Sequence, residues 1–208
     1  MENKKYKLTN ETIKVYDKTL YRIEALKDFS DMCKGDKGGF IEDEHNLSHD
    51  GNSWVYDNAR VYGNAMVCGD GMVCGNAMVC GDAMVCDNAR VNGNAMVCDN
   101  GMVYDNARVY DNARVYGNAM VCGDAKIENN SDYIVFKNWW SSGRFFTWTR
   151  SNDMWSVGCF YGSGEELIKK AYKDSEKSGR EYERVVKYVE EIKKEYECKK
   201  SKPNQTPT

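Results

Sequence analysis

The sequence predicts a mostly β protein built around a solenoid, on three observations. Residues 55–126 repeat with a period of six, one slot of the period is always Val, and the slot three further on is always Asn or Asp. Read from each valine, the units are VYDNAR, VYGNAM, VCGDGM, VCGNAM, VCGDAM, VCDNAR, VNGNAM, VCDNGM, VYDNAR, VYDNAR, VYGNAM and VCGDAK, with no break in the frame. A unit of six cannot bury its own apolar face, so stability must come from stacking copies. Helical periodicity is absent.

Each slot has a physical role. The β-branched Val of the first slot suits a short inward-facing strand. The fifth slot is Ala except at Gly71 and Gly101, small residues for a crowded corner. The third slot is Gly or Asp and the fourth Asn or Asp, residues that tolerate left-handed backbone or bond their own main chain in turns. All four Arg units carry Asp in the third slot (Asp57, Asp87, Asp105 and Asp111), which predicts an ion pair at each of those corners.

Val at one slot with Ala two residues before the next Val resembles the hexapeptide repeat of left-handed parallel β-helices. The resemblance implies triangular coils of three hexads and left-handed crossovers, against the usual rule. It further implies four coils over Val55–Lys126, a prism roughly 19 Å tall at about 4.8 Å per stacked strand. The lead-in DFSD…KGDKGGFIED…NLS…GNSWVYDNA is similar to the opening of largely uncharacterised bacterial and phage hexapeptide-repeat proteins, which implies a bacterial setting, with a phage or prophage gene as one form of it.

With three hexads per coil, residues eighteen apart stack on one outer side. The first side carries Met66 and Cys68, Met84 and Cys86, Met102 and Tyr104, and Met120 and Cys122, with no charge. The second carries Arg60/Tyr62, Met78/Cys80, Met96/Cys98 and Arg114/Tyr116, and the third Trp54/Tyr56, Met72/Cys74, Arg90/Asn92 and Arg108/Tyr110. A large uncharged patch marks a contact surface, so the eight residues of the first side are expected to be an interface. Association of copies into a homo-oligomer, a trimer as in resembling proteins, is favoured over fold-back of the C-terminal part of the chain.

Residues 1–54 are expected to form an N-terminal β-hairpin, joined at Asp17-Lys18, and a cap that closes the solenoid's open end. The solenoid is placed at 55–127 and a small α+β module at 128–200. In that module Asp132–Asn138, Arg144–Thr149 and Trp155–Tyr161 are aromatic strand candidates, with a turn at Ser151-Asn152-Asp153. Ser163-Gly-Glu-Glu166 and Ser178-Gly-Arg-Glu181 fit capping boxes for two helices. The second helix aligns Tyr182, Val185, Val186, Val189, Ile192 and Tyr196 on one face. Trp139, Trp140, Phe146, Trp148 and Trp155 are a candidate ligand or partner surface, with core packing the commoner fate of such a cluster. Residues 201–208 are expected to be disordered.

Composition narrows the function classes. The solenoid sets eight Asp against four Arg and one Lys, and the whole chain has a formal charge of −3, so no basic stripe for nucleic acid exists. No apolar run reaches a membrane span and the start MENKKYKLTNE is no signal peptide, so a cytoplasmic protein is expected. Six of the nine cysteines fill one repeat slot; stacked pairs such as Cys68/Cys86 and Cys80/Cys98 sit within disulfide reach, but reduced thiols without metal are expected.

Acyltransferases of the resembling family use acetyl-CoA with a His general base near a loop that leaves the coils. Here the only histidines, His45 and His49, precede the repeats. No catalytic residue, metal or cofactor is assigned. The expected function is a non-catalytic oligomeric scaffold that binds a host protein or a small ligand; an acyltransferase relative is the alternative.

Overall fold

The computed structural model describes residues 4–200, with side chains to residue 198, so the expected tail at 201–208 lies outside the described residues. Thirteen two-residue strands, β4 to β16, run from Trp54–Val55 to Lys126–Ile127, one at the start of each of the twelve hexads and one at Ile127 after the last. They stack in parallel register on three faces. Val61, Val79, Val97 and Val115 follow one another on one face. Val67, Val85, Val103 and Val121 do so on the second, and Val55, Val73, Val91, Val109 and Ile127 on the third. All twelve repeat valines and the alanines between them are buried, and they form one continuous core.

The solenoid has about five turns rather than the four that the hexads imply. Ile41, at the end of β3 (Lys37–Ile41), pairs in parallel with Val61, and Leu47 bridges to Val67. Val55 completes that extra coil. By register Gly39 stands where later units carry Ala, but a Cβ there would lie 2.5 Å from the carbonyl oxygen of Ala59, so this corner takes Gly. This turn lies outside the hexad frame because Ile and Leu replace Val and eight residues, not six, separate Leu47 from Val55.

Every third slot has a positive φ, from 53° at Asp57 to 73° at Gly81. The aspartates at these corners do not make the expected ion pairs with Arg60, Arg90, Arg108 and Arg114 among the described residues. Three of the four, Asp57, Asp87 and Asp105, accept a backbone N–H from the coil above instead, as does Asp99 of a Met unit. Asp57 takes the N–H of Gly75, Asp99 that of Gly117 and Asp105 that of Gly123, each at 3.0 Å. The structure offers no contact that explains the Arg–Asp coupling. Fourth-slot amides form an exposed ladder of their own, as in Asn64 to Asp82 at 2.8 Å.

The stack is polar along its axis. Each coil donates its N–H groups to carbonyls of the next coil, as Met84 does to Gly101 at 2.9 Å. One end therefore presents carbonyls and the other N–H groups, and the two caps have the complementary chemistry. At the carbonyl end, β1 (Tyr6–Val15) and β2 (Lys18–Ala25) form a hairpin turning at Tyr16-Asp17, one residue before the expected joint, and β2 pairs antiparallel with β3. Its donors cover that end: Lys5 Nζ to Ser53 O at 2.8 Å, Tyr6 OH to Leu47 O at 2.8 Å and Arg22 Nη1 to Gly38 O at 2.7 Å. At the N–H end acceptors are supplied. Asn130 Oδ1 takes the N–H of Arg114 at 2.9 Å, Thr147 Oγ1 that of Met120 at 2.9 Å and Ser151 Oγ that of Lys126 at 2.7 Å.

The second cap belongs to an antiparallel meander, β17 (Tyr133–Lys137), β18 (Phe145–Thr149), β19 (Met154–Val157) and β20 (Phe160–Gly162). The third expected aromatic strand is thus two strands, split by a turn at Gly158, whose φ is 55°. Helix α1 (Gly164–Asp174) starts at the expected capping box on Ser163 and Glu166. Helix α2 (Glu176–Lys200) starts earlier than expected. Ser175 rather than Ser178 acts at its first turn, with its hydroxyl accepting from the Ser178 N–H at 3.1 Å. Tyr182, Val186 and Val189 are buried, as the helical face predicts.

Candidate contact face and C-terminal module

The alternation of β18 and β19 divides the module's sheet. Phe146, Trp148 and Trp155 point to the helices, while Thr147, Thr149 and Ser156 are buried on the other face. From that second face Thr147 and Ser156 reach the first side of the solenoid. Ser156 Oγ lies 3.2 Å from Tyr104 OH, and Cys122 is buried. Burial pushes both the Tyr104 phenol and the Cys122 thiol up from their ordinary values. The Tyr161 ring presses on Gly123, where no Cβ fits.

The eight expected interface residues are therefore brought together but not treated alike. The module folds back over the upper half, covering Cys122 and contacting Tyr104 and Met120. The lower half stays open, with Met66 39% and Met84 36% exposed. Between the halves lies a cleft of about 330 Å³ bounded by Met84, Cys86, Met102, Tyr104 and Met120 and by the Gly158 turn. Cys68 and Cys86 are disulfide-bonded across adjacent coils, with Cα atoms 4.7 Å apart. This corrects the expectation of a fully reduced ladder: parallel register places these two slots within bridging distance. Cys80 and Cys98, equivalent on the second side, are free.

Four of the five aromatic residues named as a candidate surface take the commoner fate and are core. Trp140, Phe146, Trp148 and Trp155 are buried against α1 and α2, and Trp140 meets Tyr182 edge to face at 5.0 Å. Phe146, Trp148 and Trp155 lie on the sheet face that receives the two helices, and Trp140 joins them from the 138–144 loop. Trp139 alone of the five is open, at 74% exposure.

The sequence reading missed a cavity in this module. About 250 Å³ in volume, it lies between the 138–144 loop, the Gly158 turn and the two helices. Arg144 and Lys170 line it together with the buried polar residues Asn138, Ser178 and Tyr182. A signal was present, because Ser178 and Tyr182 put two polar groups four residues apart on the otherwise apolar face of α2.

The two histidines are engaged in the N-terminal cap. His49 Nδ1 accepts the Lys5 N–H at 3.2 Å and its ring stacks on Tyr6 at 4.3 Å, while His45 Nε2 meets Gly63 O at 2.8 Å. Among the described residues, no group of three or more His, Cys, Asp or Glu is placed to hold a metal, and no helix is long and apolar enough to cross a membrane.

The repeat pattern known as the YdcK Beta solenoid repeat matches residues 55–70, 83–99 and 113–127. The match falls within the stacked coils and agrees with a repeat β-solenoid protein. No curated protein matches the chain.

Proposed function

We propose that this chain is a non-catalytic scaffold whose copies associate side by side, as a trimer, through the open half of the Met/Cys side. The observation that carries this reading is the exposure of Met66 and Met84 beside the half-buried Cys68–Cys86 pair, on a side without charge. Contiguous apolar surface of this kind marks a contact. Association would extend the cover that the C-terminal module gives to the upper half. The C-terminal module then remains free to hold a partner, a host protein or a small ligand. The Val/Ala hexads support left-handed coils, and the lead-in's resemblance supports a bacterial or phage setting. The engagement of His49 with Lys5 and Tyr6 favours this reading over an acyltransferase, which needs a free base.

Light scattering tests the proposal. The parent protein is expected at three times the chain mass at micromolar concentration, and Met66→Glu with Met84→Glu at one times, with the same circular dichroism. A monomeric parent, or a double variant that keeps the higher mass, would refute it.

A further inference from the structure

We propose that the cavity of the C-terminal module binds a small organic monoanion, a carboxylate with an apolar body. The inference gives the displayed module its ligand class. It rests on the scaffold reading only for its setting, because the cavity is formed within one chain.

The cavity's chemistry is asymmetric. Val157, Phe160 and Leu167 give it an apolar wall, and Arg144 and Lys170 bring cations from the 138–144 loop and from α1. Neither cation has an ion pair among the described residues; Lys170 Nζ instead lies over the Phe160 ring, 5.4 Å from its centre. Asp174 is the one carboxylate on the lining. Two cations against one carboxylate leave a single positive charge, which matches a monoanion better than a phosphate dianion.

A donor points the same way. Asn138, 3% exposed, has its amide fixed, because Oδ1 accepts both the backbone N–H and the hydroxyl of Ser141, at 2.9 and 3.0 Å. Its Nδ2 must then donate to Tyr182 OH, at 3.2 Å. The Tyr182 oxygen is thereby an acceptor in that bond, and its own proton is left to donate elsewhere. Tyr182 is 7% exposed and lines the cavity, so a ligand oxygen there would complete its hydrogen bonding. The volume, about 250 Å³, lies just below the usual range for drug-sized ligands, which sets the ligand at about a dozen non-hydrogen atoms.

The test titrates the full chain with phenylacetate, its neutral isostere phenylacetamide and the dianion phenyl phosphate, observed by ligand NMR, with light scattering in parallel. Phenylacetate is expected to bind at least about tenfold more tightly than either other probe, the factor that one charge-assisted contact of about 1.4 kcal/mol supplies. Arg144→Gln with Lys170→Gln should abolish that preference. Both residues are exposed, so the fold is retained. Tyr182→Phe should weaken phenylacetate several-fold without restoring the amide, and Asp174→Asn should shift preference toward phenyl phosphate. The proposal is overturned if phenylacetate fails to bind at millimolar concentration, if the amide binds as well, or if the double Gln variant is unchanged. An altered mass with unchanged titration bears on the scaffold reading alone.

Discussion

Asp57 Oδ2 accepts the backbone N–H of Gly75 at 3.0 Å, and the two residues occupy the same corner of successive coils. The contact explains why a repeat that needs positive φ in its third slot uses Asp as well as Gly. Gly adopts the conformation at no steric cost. Asp bears some strain there and recovers it by satisfying an N–H one turn above.

Asp105 is the position at which to measure this trade, since its φ is 59° and its carboxylate takes the Gly123 N–H at 3.0 Å. Asp105→Ala keeps the strain and orphans the donor, so it should destabilise by about 2 kcal/mol. Asp105→Asn retains an acceptor and a residue tolerant of this backbone, and should cost under about 1 kcal/mol. Chemical denaturation measures both. An equal loss for the two variants would place the effect in charge rather than in the corner hydrogen bond.

Lys5 gives the N-terminal cap a pH signature. It is 1% exposed, and burial, with repulsion from Lys27 second, holds its ammonium down to about 8, against 10.5 in the unfolded chain. Between those values the unfolded state binds the extra proton, so stability attributable to Lys5 rises as pH rises from 8 toward 10.5. Tyr6, whose phenol burial pushes up, works in the opposite sense as the unfolded phenol ionises near 10. A Lys5→Met variant keeps Tyr6 and isolates the first effect. Denaturation at pH 8 and 10 should show the parent gaining on Lys5→Met; parallel curves would remove the buried ammonium from the account.

The parts of the fold legible in the sequence are those fixed by local periodicity. Val91 is inward because its slot is inward in every unit, and the third-slot corners follow from the short menu of residues that accept positive φ. The first turn was not legible, since Ile41 and Leu47 reach their rungs across an irregular segment. Its stacking is fixed by contacts with Val61 and Val67 rather than by spacing. The candidate site divides in the same way. The uncharged side could be read from residues eighteen apart, but not how far the module covers it, because that depends on where Thr147 and Ser156 land. Tyr182 reads as one more core residue of α2 until the 138–144 loop brings Asn138 onto its hydroxyl.

Polarity of the stack predicts how the caps act. A bare upper end presents N–H groups from β14 (Arg114–Val115), β15 (Met120–Val121) and β16, and a bare lower end presents carbonyls from the first turn. Two upper ends facing each other would set donor against donor, so only the head-to-tail arrangement makes hydrogen bonds. Deleting residues 128–208 alone leaves the lower end covered by Lys5, Tyr6 and Arg22, and deleting 1–36 alone leaves the upper end covered by Asn130, Thr147 and Ser151. Neither single deletion can propagate a fibre. Deleting both should yield unbranched filaments with coils stacked through the junctions at about 4.8 Å. Electron microscopy of the three proteins decides the matter: filaments from either single deletion, or none from the double, would mean that complementary end chemistry is not what keeps this solenoid finite.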